Sequence, residues 1–184
     1  MKSEANFDTG VTYLRAGLTE RARESFERAL ADVAPAARVA ENGTYLKTLT
    51  LLARLHLERG AAAAAIQFID QGLAVKPGHC DLLFLRALCC WEQKRFDEMF
   101  LALIHFLAVM APPATEPYLY EFTHAMAVKE VCDTLLPKAY RHSTSRGQTH
   151  AVVQRLAEQT GNPLLEQACR RIAEIDQAAQ AEAP

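Results

Sequence analysis

Residues that end helices recur in the same order along the chain, and this pattern constrains the fold more than any other feature. A stretch with the apolar spacing of a helix leads to Gly17, a second such stretch follows, and Pro35 stops it. The same order is repeated at Gly60 and Pro77. Because glycine commonly follows the last residue of a helix and proline cannot continue one, each segment is predicted to be a pair of helices joined by a tight turn.

A third segment follows the same order, with Lys94 in place of the glycine and Pro112 as the stop. Gly60 and Lys94 are 34 residues apart, whereas Gly17 and Gly60 are 43 apart, so the first connector carries a nine-residue insertion. A fixed period of this length indicates an array of similar helix pairs rather than an irregular bundle.

The composition supports an all-α chain. Ala and Leu, the strongest helix formers, number 32 and 23 of 184 residues, while Gly and Pro number eight each. The formal net charge of −2 argues against a general nucleic-acid binder, because neutralising phosphates needs a surplus of Lys and Arg.

Small residues recur at three fixed places in the first two segments, with bulky residues between them. They are Gly10, Ala22 and Ala29 in the first segment, and Ala53, Ala65 and Gly72 in the second. This arrangement resembles the tetratricopeptide repeat over about residues 4–112. The resemblance implies a right-handed superhelix of helix-turn-helix repeats. The third segment departs from it at Met99 and Phe106, which would either splay the helix pair or receive a packing partner from outside it.

The resemblance also implies a concave groove, lined by the first helices of successive repeats, that binds a segment of another protein. The lining carried over by position is Phe7, Val11, Leu14, Thr50, Leu51, Arg54, Leu57, Phe84, Leu85, Leu88 and Trp91. The family's carboxylate clamp of Lys, Asn and Arg has no counterpart in this lining, which is largely apolar. Such a surface is expected to be covered by a partner's amphipathic helix, by the chain's own terminal helices or by a second copy.

Beyond the three repeats we expect a seventh helix, from Thr115 to Leu136, closed by Pro137 and covering the open face of the third repeat. Residues 137–148 are polar and are predicted to form a loop. A final helix pair follows, with Gly161 at its turn and Asn162 as a cap, and is a candidate degenerate fourth repeat. The expected organisation is therefore residues 1–136 as repeats and cap, and residues 137–184 as loop and helix pair, within one array.

Charge is unevenly distributed along the chain. Residues 1–136 carry a net charge of −3, whereas residues 137–171 carry +4. This basic segment would meet an acidic partner or a phosphate, or it is an ordinary solvated surface. Its candidate patch consists of Lys138, Arg141, Arg146 and Arg155.

The sequence contains no arrangement typical of catalysis. It has no glycine-rich phosphate loop, no HExxH or GxSxG motif, and no histidines at ligand spacing, so we expect no enzyme activity, cofactor or metal. His56 and His105 are predicted to be packing residues. The five cysteines form an odd set without CxxC spacing and are predicted to be buried and reduced.

Taken together, these features favour a non-enzymatic protein-interaction module, such as a chaperone, adaptor or scaffold, that holds an apolar or amphipathic partner segment. The alternatives are an accessory subunit of a bacterial enzyme such as a glycosyltransferase, and a self-assembling scaffold or homo-oligomer. No targeting peptide is visible, and the longest apolar stretches are too short to cross a bilayer, so we expect a cytoplasmic protein with no membrane partner.

Overall fold

The computed structural model describes residues 2–34, 38, 43–110 and 125–181, with the side chains of residues 125–127 left out of the description. The described residues form helices and short connections and contain no strand. The helices are α1 Lys2–Arg15, α2 Thr19–Ala31, α3 Gly43–Glu58, α4 Ala62–Val75, α5 Cys80–Glu92, α6 Phe96–Met110, α7 Ala125–Glu130, α8 Leu136–His142, α9 Arg146–Thr160 and α10 Pro163–Ala181, with a π-helical turn, Val131–Leu135, between α7 and α8.

The chain divides into two compact units that meet within α5. Unit 1 comprises Met1–Leu85 and unit 2 comprises Arg86–Pro184. The organisation expected from the sequence, with a division after residue 136, was based on repeats rather than contacts, and it stays a prediction.

The three turns between paired helices share one backbone geometry. Gly17 and Gly60 have φ angles of 73° and 74°, and Lys94 takes 58° at the matching place. In each turn the next residue donates its N–H to the carbonyl five residues earlier, which satisfies an orphan carbonyl at the helix end. These bonds run from Leu18 to Tyr13 at 2.9 Å, from Ala61 to His56 at 2.9 Å and from Arg95 to Cys90 at 2.8 Å. The predicted turns are confirmed.

Within unit 1, the small residues lie where helices touch. A Cβ atom added at Gly10 of α1 would stand 2.6 Å from the Phe26 ring of α2, and one added at Gly72 of α4 would clash with Leu82 of α5. Ala22 and Phe26 are fully buried in a cluster with residues of α3. The predicted close approach of the paired helices is therefore confirmed.

Within unit 2, the large residues at the matching places lie in the core. Met99 and Phe106 of α6 are fully buried. Helix α6 packs against α8 and α10, and the rings of Phe100 and Tyr140 lie 5.8 Å apart. Helix α6 thus has packing partners from outside its own pair, which is one of the two predicted outcomes.

The predictions for residues 115–148 need correction. The start of the expected helix at Thr115 lies outside the described residues, but its end at Pro137 is wrong, because the chain is helical from Ala125 to His142. The predicted loop is likewise wrong for most of its length, since residues 143–145 alone separate α8 from α9.

A π-helical turn explains how a proline lies inside this helical segment. Proline has no N–H to donate, and its ring meets the carbonyl four residues earlier, which at Pro137 is that of Asp133. The N–H of Leu136 bonds to the carbonyl of Val131, five residues back, so the turn before the proline is wider than an α-turn. The extra room accommodates the ring, and the helix continues.

The predicted cap of the last helix is confirmed. The Asn162 side-chain oxygen accepts the N–H groups of Leu164 at 2.9 Å and Leu165 at 3.3 Å. Its amide nitrogen donates to the carbonyl of Leu107 at 3.2 Å, and Gly161 before it has φ of 59°. One buried side chain therefore starts α10 and anchors it to the end of α6.

Candidate functional site

Apart from Thr50, the predicted groove residues of α1 and α3 are half-buried, and Phe7, Val11, Leu14 and Leu51 pack against one apolar cluster of unit 1. Its buried members, Ala22, Phe26, Leu52 and Leu55, are packed against by the partly exposed side chains of both helices. The name α1/α3 face is used here for the predicted lining residues of these two helices that remain partly accessible. They are Phe7, Val11, Leu14, Leu51, Arg54 and Leu57.

The α1/α3 face is apolar apart from one ion pair. Arg54 Nε donates to Glu58 one turn later at 2.8 Å, so its charge is matched within α3. Leu51 packs on the core cluster, whereas Leu57 is not among the side chains that contact it. The face therefore offers apolar contact area with little free charge.

Three predicted lining residues are buried and are not available on a surface. Thr50, Phe84 and Leu85 are 6%, 5% and 1% exposed. The Thr50 hydroxyl donates to the Leu46 carbonyl within its own helix at 2.9 Å. The predicted lining is corrected at these positions, because repeat position indicates which side of a helix a residue is on but not how deeply its neighbours bury it.

The remaining predicted lining residues, Leu88 and Trp91, lie in unit 2 and are half-buried. The ammonium of Lys138 in α8 stands 5.4 Å from the centroid of the Trp91 ring, and Phe96 meets the same ring edge-on at 5.7 Å. Phe96 in turn stacks on His142 of α8 at 4.7 Å. The α8 side chains Lys138 and His142 thus lie on Trp91 and on its neighbour Phe96, and covering of the groove by the chain's own terminal helices stays a prediction.

The structure brings together three of the four residues in the predicted basic patch, and two of these line a cavity. All four are exposed, but only Lys138 and Arg141 of α8 line a common cavity in unit 2. The Arg146 guanidinium donates to the backbone carbonyl of Arg141, and Arg155 lies on α9 away from that cavity.

Of the two histidine predictions, the one for His56 is confirmed and the one for His105 is wrong. His56 stacks on Phe68 at 5.3 Å, and its buried Nε2 has no hydrogen-bond partner. Burial, reinforced by the nearby Arg23 charge, lowers the pKa of His56, so the ring is a neutral packing group, as predicted. His105 is exposed, so its predicted packing role is wrong; an apolar helix such as α6 still has one side that faces water.

The cysteines are packing residues, as predicted. All five are free, four are buried, and Cys169 is half-buried. Burial raises the pKa of Cys89 to about 12 and those of Cys80 and Cys132 to about 11, so these thiols are protonated and unreactive at neutral pH.

Two polar networks of unit 2 could not be predicted from the sequence, because their members are far apart in the chain. The Asp97 carboxylate accepts the Ser143 hydroxyl, the Thr144 N–H at 3.1 Å and the Thr144 hydroxyl at 2.6 Å. The Tyr140 hydroxyl donates to Asp176 at 3.0 Å. Both networks fix helices around α6 and α8, and no local motif marks them.

Neither metal-binding nor membrane-spanning features occur in the part of the chain that the structure describes. No group of three or more His, Cys, Asp or Glu residues there is arranged to hold a metal ion. None of the helices described is both long and apolar enough to cross a bilayer.

Comparison with known proteins identifies the fold but no close relative. No protein-family model and no curated protein sequence matches the chain. The crystal structure of MamA protein is similar over 100% of this chain and 97% of that chain, with a TM-score of 0.52 and 13% identity. The helix pairs and this likeness show an all-α fold like that of the tetratricopeptide repeat.

Proposed function

We propose that the chain is a non-enzymatic interaction module that holds an apolar or amphipathic segment of a partner protein against the α1/α3 face. The observation that carries this proposal is the combination of a tetratricopeptide-like fold with half-buried apolar side chains on the first helices of the first two pairs. Such side chains keep contact area that a partner can remove from water.

The α1/α3 face suits an apolar segment better than a charged one. Phe7, Val11 and Leu14 recur along α1 at helical spacing, and the one cation among the named residues is paired with Glu58. A partner helix with apolar residues three and four apart would match this spacing. Affinity then comes from burying apolar area, with few directional bonds.

The experiment is affinity capture with the full chain as bait in the native cell, followed by mass spectrometry. We compare the wild type with Leu57→Glu and Leu51→Glu on the face, and with Leu101→Glu as a matched control. Leu101 lies in unit 2 and is 56% exposed, so it offers the same substitution away from the face.

Both face variants are expected to lose the partner that the wild type and Leu101→Glu retain, with the helical circular dichroism unchanged. The two face variants complement each other, because Leu51 packs on the cluster of Ala22, Phe26, Leu52 and Leu55 whereas Leu57 does not. A partner that binds all four proteins equally contradicts the proposal. A mass in solution above 20.4 kDa that falls on dilution would indicate a second copy as the occupant.

A further inference from the structure

A surface cavity of about 290 Å³ lies among the C-terminal helices of unit 2. Its walls come from the π-helical turn, from α8 and from α10. The lining residues are Asp133, Thr134, Pro137, Lys138, Arg141, Arg171, Glu174, Ile175 and Ala178. This volume lies at the small end of the range for ligand sites, about 300–1,000 Å³, and suits one or two side chains rather than a large cofactor.

The acidic groups of the cavity are already paired within its walls. Arg171 donates to Asp133 at 3.1 Å and to Glu174 at 2.9 Å, and Lys129 adds a second cation to Asp133. Lys129 and Arg171 hold the pKa of Asp133 below its usual value, so the carboxylate is ionised and its charge is balanced by these two cations.

Two basic groups of the cavity have no acidic partner among the residues that the structure describes. Lys138 and Arg141 are both exposed, and within the described part of the chain neither forms an ion pair. They lie one turn apart on α8, with Lys138 also over the Trp91 ring. The cavity therefore presents two adjacent cations beside an apolar wall of Pro137 and Ile175.

From this arrangement we infer that the cavity binds an acidic side chain, Asp or Glu, flanked by an apolar side chain in a segment of a partner protein. The carboxylate meets Lys138 and Arg141 with charge-assisted hydrogen bonds, and the apolar neighbour lies against Pro137 and Ile175. A free phosphate ion fits the cavity less well, because it has no apolar part to lie against Pro137 and Ile175. This second site lies wholly in unit 2 and does not depend on the α1/α3 face.

The test uses the full chain and a labelled Glu-Leu-Glu-Leu peptide, with a Gln-Leu-Gln-Leu peptide as its uncharged match. Binding is measured by fluorescence anisotropy at low ionic strength, about 20 mM, where exposed charges are least screened. Trp91 is the only tryptophan and Lys138 stands over it, so intrinsic fluorescence reports on the surroundings of one of the two cations.

The double variant Lys138→Gln/Arg141→Gln is expected to weaken binding of the acidic peptide about tenfold, the combined effect of two partly exposed charge pairs. The matched control is Arg155→Gln/Arg170→Gln, which removes the same charge from exposed residues outside the cavity. It should change binding clearly less than the cavity variant does, because it removes the same charge without removing a group that lines the cavity.

Four results would overturn the inference. They are no binding of the acidic peptide by the wild type, equal loss in the control variant, equal affinity for the glutamine peptide, and displacement by inorganic phosphate as effective as by unlabelled acidic peptide. The last would mark a small-anion site instead. Because Lys138 and Arg141 are both exposed, the unfolding temperature of the double variant is expected to stay unchanged. The charge reversal Arg141→Glu should weaken binding of the acidic peptide further.

Discussion

The two units pack paired helices with side chains of different size at matching places. In unit 1 the turns carry Gly17 and Gly60, and the helix contacts carry residues as small as Gly10. In unit 2 the turn between α5 and α6 carries Lys94, and Phe106 stands at one of the places that hold small residues in unit 1.

The difference shows that one backbone pattern tolerates two kinds of packing. A glycine lets the backbone of one helix meet a side chain of the next directly, as Gly10 meets Phe26. A large residue at a contact place instead adds apolar surface that further helices cover, and in unit 2 helices α8 and α10 pack on α6. We therefore expect the same helix pairs to form in both units. The change in the free energy of unfolding caused by a substitution should depend on how tightly that place is packed.

The largest effect is expected from giving unit 2 the small residue that unit 1 uses. Phe106→Ala should lower the free energy of unfolding by about 3–5 kcal/mol, because the lost ring leaves a cavity in a fully buried place. Denaturant unfolding measures it. Leu101→Ala on the same helix is the control and should cost less than about 0.5 kcal/mol, since that side chain is exposed.

Replacing a small residue of unit 1 by a larger one should also destabilise the protein, but by less. Gly10→Ala places a methyl group 2.6 Å from the Phe26 ring, and overpacking of about 1–3 kcal/mol outweighs the better helix propensity of about 0.5–1 kcal/mol. Gly147→Ala in α9 is the counterpart, because nothing lies within 4 Å of the added atom. In urea unfolding, Gly10→Ala should lower the free energy of unfolding and Gly147→Ala should raise it. Stabilisation by both substitutions would contradict the proposed difference in packing.

The turns should respond to an exchange of their central residues. Lys94→Gly is expected to stabilise the protein by about 0.5–1 kcal/mol, since a left-handed φ strains a residue with a Cβ and glycine adopts it freely. Gly60→Lys should destabilise by a similar amount, about 0.5–1 kcal/mol. Thermal unfolding of both variants measures the effect, and unchanged midpoints would show that the turns do not share one conformation.

An effect of similar size is expected from the polar contact between Asp97 and residues 143–144 of unit 2. Hydrogen bonds from Ser143 and Thr144 lower the pKa of Asp97, so its contribution to stability is present above the usual carboxyl pKa of about 4 and is lost as the pH falls through the lower folded value. Asp97→Asn should cost about 0.5–1 kcal/mol at neutral pH, and the difference from the wild type should shrink below about pH 4. A difference that stays constant down to acidic pH would exclude this origin.

Local signals in the sequence were sufficient to predict the repeated helix pairs. Gly17 and Gly60 mark their turns because a left-handed φ favours glycine, and the 34-residue spacing then identified Lys94 as their counterpart. Asn162 was recognisable as a cap because an Asn before Pro163 at a helix start is itself a local pattern.

Features that depend on distant contacts were not accessible in this way. Pro137 normally ends a helix, and only the π-helical turn before it lets α8 continue. The burial of Phe84 and the pairing of Arg171 with Asp133, 38 residues away, depend on which helices pack together. The candidate surfaces were thus predictable by repeat position, but their accessibility and charge balance were not.

The central proposal is that the α1/α3 face holds a partner segment, and a titration tests it most directly. The segment recovered by capture is synthesised and titrated calorimetrically into the wild type, Leu57→Glu and Leu101→Glu. We expect Kd to rise at least about tenfold for Leu57→Glu, because a charge buried against an apolar segment costs more than about 1.4 kcal/mol, and to stay unchanged for Leu101→Glu. Equal Kd values for all three proteins would contradict the assignment of the face.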